Sequence, residues 1–229
     1  MAIILSIETS TPICSVALHQ DGKLLFLLEL EEAGAHAEKL MGLIESVLNA
    51  QQISVHDLDA IAVSEGPGSY TGLRIGVSTA KGLAFAGDLK LIGISTLRAL
   101  ALGAKQTCTS QELIISMLDA RRMEVYREIY DSELNVISSL DAEILDQNSY
   151  QEILQKGQVC FVGDAVTKVS EIITHPNAKF LKVPVSADLI GQAGYQKYKN
   201  QEFEDLAYFV PNYLKEFKAL QSKKNPLFS

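Results

Sequence analysis

Tryptophan is absent from the 229 residues, and cysteine nearly so. The three cysteines, Cys14, Cys108 and Cys160, form no CxxC pair, and their odd number argues against a disulfide framework. Cys14 and Cys160 lie in apolar, strand-like runs ("PICSVAL", "QVCFVGD") and read as buried structural thiols. Positive charge is also short: 20 Lys and Arg stand against 28 Asp and Glu, a net −8. Such a chain carries no phosphate footprint of its own, which argues against tight nucleic-acid binding by it alone. No run reaches the roughly eighteen apolar residues of a membrane span. "MAIILSIETS" lacks a basic leader and reads as a first strand, so the cytoplasm is the expected compartment. There is no H-E-x-x-H, and no Ser–His–Asp set can be picked out, which speaks against a protease.

What remains is a chain with 47 % hydrophobic residues, enough for one large domain or two smaller ones. Three apolar runs open it: 2–8, 12–19 and 22–30, the last two joined by the hairpin signal Asp21-Gly22. Residues 35–50 put His36, Leu40, Leu43 and Val47 on one helical stripe. A strand at 57–64 follows, then a glycine-rich stretch, a helix over about 72–86 and a strand at 89–95. From 112 the rhythm repeats: strands at 112–120, 123–131 and 133–139, a helix at 149–157, a strand at 158–164, a helix at 165–174, a strand at 178–184 and a helix at 186–200. Sliding the second half back so that Asp119 falls on Glu8 sets Ser132-Glu133 on the Asp21-Gly22 turn. A duplicated βββαβα unit is the mark of the actin-like, sugar-kinase-like (ASKHA) ATPase fold. This α/β reading divides the chain into 1–103, a smaller diverged copy at 104–200, and a final segment, 201–229, packing back on the first and ending in a mobile tail.

The stretch "SEGPGSYTGLRIGVSTAKGLAFAGD" (64–88) is the densest in signal. It is not a Walker A loop, which needs G-x-x-x-x-G-K-S/T, and Thr71 breaks a G-x-G-x-x-G begun by Gly66 and Gly68. Its Gly–Pro–Gly turn before a helix N-terminus is still a weak candidate anion site. Inside the helix, Gly72, Gly76 and Ala80 recur every fourth residue, with Leu73 and Val77 beside them. Each helical glycine costs about 1 kcal/mol relative to alanine. Close packing offsets that cost, either on the chain's own sheet or on a partner's helix.

Five motifs in order, "ILSIETST", "SEGPGSYTGLRIGVSTAKGLA", "GISTLRALA", "MLDARRMEVY" and "PNYLKEF", resemble the TsaB (YeaZ) family across essentially the whole chain. The resemblance implies an actin-like, non-catalytic relative of TsaD. TsaD is the subunit that makes threonylcarbamoyladenosine next to the anticodon of tRNAs reading codons that begin with A. It implies pairing with TsaD through the helices at 35–50 and 72–86, cooperation with the ATPase TsaE, contact with tRNA only through the complex, no membrane role, and a homodimer when TsaD is absent. Those helices make His36, Leu40, Leu43, Val47, Gly72, Leu73, Gly76, Val77 and Ala80 the expected interface. No catalytic residue is expected, and ATP and metal belong to the partners. Actin-like ATPases hold phosphate and Mg²⁺ on an Asp-x-Gly turn after the first strand. Here Glu8 and Ser10 replace those residues, which with Gly66 and Gly68 leaves at most a vestigial nucleotide or anion site. The alternative is an independent small-molecule kinase or ATPase of the same fold. No metal site is expected either: Leu40, not a histidine, lies one turn after His36, and no Cys/His cluster has ligand spacing. Arg121 and Arg122 read as a solvated hairpin turn with Asp119 pairing locally.

Overall fold

The computed structural model describes residues 1–32, 34–105, 107–109 and 112–214; the expectations for the basic tail and for the end of "PNYLKEF" lie outside them. The first half runs β1 (Ile3–Glu8), β2 (Ile13–Gln20), β3 (Lys23–Glu31), α1 (Ala35–Ala50), β4 (Ala60–Gly66), α2 (Tyr70–Gly87), β5 (Lys90–Ser95) and α3 (Thr96–Lys105). The second runs β6 (Leu113–Asp119), β7 (Glu124–Tyr130), β8 (Val136–Ile144), α4 (Gln151–Lys156), β9 (Val159–Gly163), α5 (Val166–Ile172), β10 (Ala178–Leu181) and α6 (Ala187–Lys199).

Each half builds one five-stranded sheet. The orders are β3-β2-β1-β4-β5 and β8-β7-β6-β9-β10, one topology used twice. In both, the first three strands form an antiparallel meander, and the last two add in parallel beside the first. Glu8 and Asp119, aligned by sequence rhythm, are the last residues of β1 and β6. This is the duplicated actin-like architecture.

Strand alternation decides the layers, because successive side chains point to opposite faces. From the first sheet, Leu5, Ile7, Val16, Ile61 and Val63 meet α1 and α2, while Ile4, Ala60, Ala62 and Ile92 meet Ile190 and Ala193 of α6 and Ala99 of α3. From the second sheet, Ile115, Met117 and Phe161 meet α4 and α5, while Ile114, Leu118 and Val162 meet Leu97, Leu100 and Ala104 of α3. Helix α3 therefore lies between the sheets, with α6 beside it on the first.

Three sequence expectations need correction. The helix at 96–105 was not expected, and β8 spans Val136–Ile144, displaced from the expected 133–139. Helix α6, placed with the second unit by a boundary at 200, packs on the first sheet. Its Gly191 allows that approach, because a Cβ there would overlap the buried His19 ring, whose Nε2 lies 3.0 Å from Asp188 Oδ1. Among the described residues no helix is long and apolar enough to cross a membrane.

Candidate functional site

The turn after β1 is where an actin-like fold would take phosphate, and here the protein's own atoms fill it. Glu8 and Thr9 are fully buried and Ser10 nearly so. The Ser10 amide donates to Glu8 Oε1, and the Ser69 amide to the Ser10 carbonyl at 2.7 Å. Two backbone N–H groups at the turn, those of Ser10 and Ser69, are thus committed, one of them to a carboxylate. Burial raises the Glu8 carboxyl from 4.5 to about 7, against the opposing pull of polar contacts from Ser10, Ser64 and Thr9. Burial, then the Glu8 charge, pushes the neighbouring Cys14 thiol up to about 11, as befits an inert core thiol.

Gly66 and Gly68 do converge on this turn, but as packing surfaces. A Cβ on Gly68 would come within 2.6 Å of Ser10 Cβ and its carbonyl oxygen, and one on Gly66 within 2.9 Å of the Asn212 carbonyl. The last described segment straps the rim. The Asn212 amide donates to the Glu65 carbonyl at 2.7 Å, Lys81 Nζ donates to the Phe209 carbonyl at 2.8 Å, and the Tyr213 ring sits 4.7 Å from that of Tyr70. The Glu8/Ser10/Gly66/Gly68 set is assembled, but not as an open anion cradle.

The glycine stripe is explained by the same turn. Thr9 Oγ1 donates to the Gly72 carbonyl at 2.8 Å, and any Cβ on Gly72 or Gly76 would overlap Thr9 atoms. The stripe therefore faces the chain's own β1–β2 turn and not a second subunit. Leu40, Val47, Leu73, Val77 and Ala80 are likewise buried against the first sheet, and Leu43 is half-buried. His36 donates through Nε2 to the Thr11 carbonyl at 2.9 Å, tying the start of α1 to the same turn. These side chains fill the core of the first half and leave little area for the interface expected on them. The free face of the two helices carries Met41 (46 % exposed) and Phe85 (81 % exposed), together with Gly42 and Gly82, which have open space around them. The legible signal was an apolar residue out of phase with the buried stripe.

Two charged groups on the second half are paired within the chain. The Arg121 amide and Lys168 Nζ both bond Asp119 Oδ1, at 2.6 and 2.8 Å. Burial pushes Asp119 up, but Lys168 and the Arg121 amide outweigh it and hold the carboxyl below its usual range. An open groove of about 680 Å³ on the second half is lined by Arg127, Glu143 and Tyr150. Arg127 there bonds Glu143 at 2.9 Å. Sequence spacing missed one grouping, Cys108, Glu112 and Cys160, which only the fold brings together.

The profile of a family described as TsaD, tRNA N6-adenosine threonylcarbamoyltransferase, matches residues 31–223. The tRNA threonylcarbamoyladenosine biosynthesis protein TsaB of Escherichia coli K12 is 38 % identical over 134 residues, 58 % of this chain and 57 % of that protein. The chain thus spans a little over half the length of that curated relative. TsaB of Bacillus subtilis 168 is 29 % identical over 242 residues, covering 96 % of this chain and 99 % of that one. The solved structure of YeaZ from Pseudomonas aeruginosa superimposes with a TM-score of 0.79 at 27 % identity, over 93 % of this chain and 100 % of that one.

Proposed function

Because the chain belongs to the TsaB/YeaZ family and carries a TsaD-type domain, we propose that it is an accessory, non-catalytic subunit in the making of threonylcarbamoyladenosine on tRNA. In this reading it stands beside a TsaD-type catalytic subunit and a TsaE-type ATPase, and meets tRNA only through them. ATP and the metal for the transfer sit on those partners.

The observation that best supports this reading is the filled turn after β1. A phosphate there would meet the buried Glu8 carboxyl, with the Ser10 and Ser69 amides already bonded, beneath a strap of the chain's own residues. What the chain then contributes is surface. The outer face of α1 and α2, with Met41, Phe85, Gly42 and Gly82, is the face assigned to the TsaD-type partner and, without it, to a second copy. Its two apolar side chains supply burial at roughly 25 cal/mol per Å². Its two open glycines let a partner backbone come close.

The test is a reconstitution. The purified chain with ATP and Mg²⁺ is expected to release no phosphate above background. Transfer to tRNA by TsaD- and TsaE-type subunits is expected to need the chain. Robust turnover by the chain alone would reverse the reading in favour of an independent ATPase or kinase, and undiminished transfer without it would remove the accessory role.

A further inference from the structure

Three groups far apart in the sequence converge beneath the end of α3. Cys108 sits on the turn that closes the helix, where the Thr107 and Cys108 amides bond back to the Ala104 carbonyl at 2.9 and 3.0 Å. Glu112 leads into β6, and its Oε2 accepts the Thr109 amide at 3.1 Å. Cys160 is the second residue of β9 and is fully buried. Both sulfurs and a Glu112 carboxylate oxygen lie within 4.8 Å of one another. Glu112 is only 5 % exposed, whereas Cys108 is half-buried and opens the cluster to solvent.

A cation stands beside them. Lys179 lies opposite Cys160 in the β9–β10 register. Its Nζ donates to the Thr107 carbonyl at 3.0 Å and reaches to 3.9 Å from Glu112 Oε2.

We propose that Cys108, Glu112 and Cys160 form a binding site for a zinc-class divalent cation, with solvent completing the fourth position on the open side of Cys108. Thiolate and carboxylate donors suit zinc, which favours four-coordinate tetrahedral sites. Magnesium and calcium prefer all-oxygen shells, so the two sulfurs select against them. Zinc–sulfur bonds of about 2.3 Å and zinc–oxygen bonds of about 2.1 Å place tetrahedral donors roughly 3.6 Å apart, so the three atoms need close in by only about an ångström. On binding, both thiol protons leave to solvent. Two thiolates and one carboxylate then face the divalent ion, and the Lys179 ammonium balances the remaining negative charge. The ion would staple the turn after α3 to β9, fixing the middle-layer helix to the second sheet. Sequence spacing hid the site because its two thiols belong to different elements, with β6, β7, β8 and α4 between them.

The experiment uses the full chain, reduced and stripped with a chelator, then titrated with Co²⁺. One equivalent is expected to give a thiolate-to-cobalt charge-transfer band in the near ultraviolet and the intense visible bands of a four-coordinate ion, both erased by Zn²⁺. Zinc affinity is then read by competition with a chromophoric chelator. Cys108→Ser and Cys160→Ser are each expected to weaken it by more than about 100-fold, beyond the 10- to 100-fold typical of outer partners, and Lys179→Met by about tenfold. Cys108 is half-buried, so its variant is expected to keep the parent's circular dichroism and stand as a folded control. Absence of the charge-transfer band in the reduced parent, or its survival in folded Cys108→Ser, overturns the site.

Discussion

At the scale of single residues, Glu8 makes stability depend on pH. Its folded carboxyl titrates near 7 against an ordinary 4.5, so the folded chain holds that proton more tightly than the unfolded one. The resulting stability is full below about pH 4.5 and is lost as pH rises through 7. The span corresponds to about 3 kcal/mol. Glu8→Gln removes the charge and keeps the shape. Urea unfolding at pH 8 is expected to find the variant more stable by up to that amount, with little gain at pH 5; an equal effect at both pH values would rule out the charge as the cause. The two glycine classes on α2 behave oppositely. Gly82→Ala enters open space and gains helix propensity, an expected stabilisation of about 0.5–1 kcal/mol. Gly76→Ala drives a methyl into Thr9 and is expected to cost at least the 1–3 kcal/mol of overpacking. Thermal melts of the pair check this, and two equal shifts would mean that Thr9 gives way. The sequence shows a glycine stripe but not what lies beneath it, because Thr9 and Gly72 meet across 63 positions.

At the scale of elements, legibility followed amphipathicity. Helix α1 is readable because one stripe is buried and the other exposed, but an apolar stripe in sequence does not say whether it faces a core or a partner. Helix α3 is the exception: it begins at Thr96 directly after β5 ends at Ser95, so no turn residue marks the change from strand to helix. Strand β8 was misplaced because its exposed Val136, Ile137 and Ile144 leave little alternation to fix its register. The outer face of α1 and α2 yields its own prediction. Phe85→Glu replaces an 81 %-exposed ring, so monomer stability is expected to stay within about 0.5 kcal/mol. Pairing with a TsaD-type subunit, or of two copies, is expected to weaken at least tenfold in sedimentation or pull-down. Unchanged pairing would move the contact elsewhere.

At the scale of the whole molecule, the repeat was legible from turn spacing alone, because strand–turn rhythm survives divergence that erases residue identity. What the rhythm could not reveal is where each repeat's last helix goes. Helix α3 ends the first repeat but supplies Leu97, Leu100 and Ala104 to the second sheet, whereas α6 ends the second repeat and supplies Ile190 and Ala193 to the first. The second half lends its final helix to the first sheet, while α3 is shared between both sheets. Cut after α3 and expressed apart, each piece would leave one sheet face bare and present an unclaimed helix made for the other. Neither is expected to be soluble alone, and the two produced together are expected to reassemble into a particle that elutes with the intact chain.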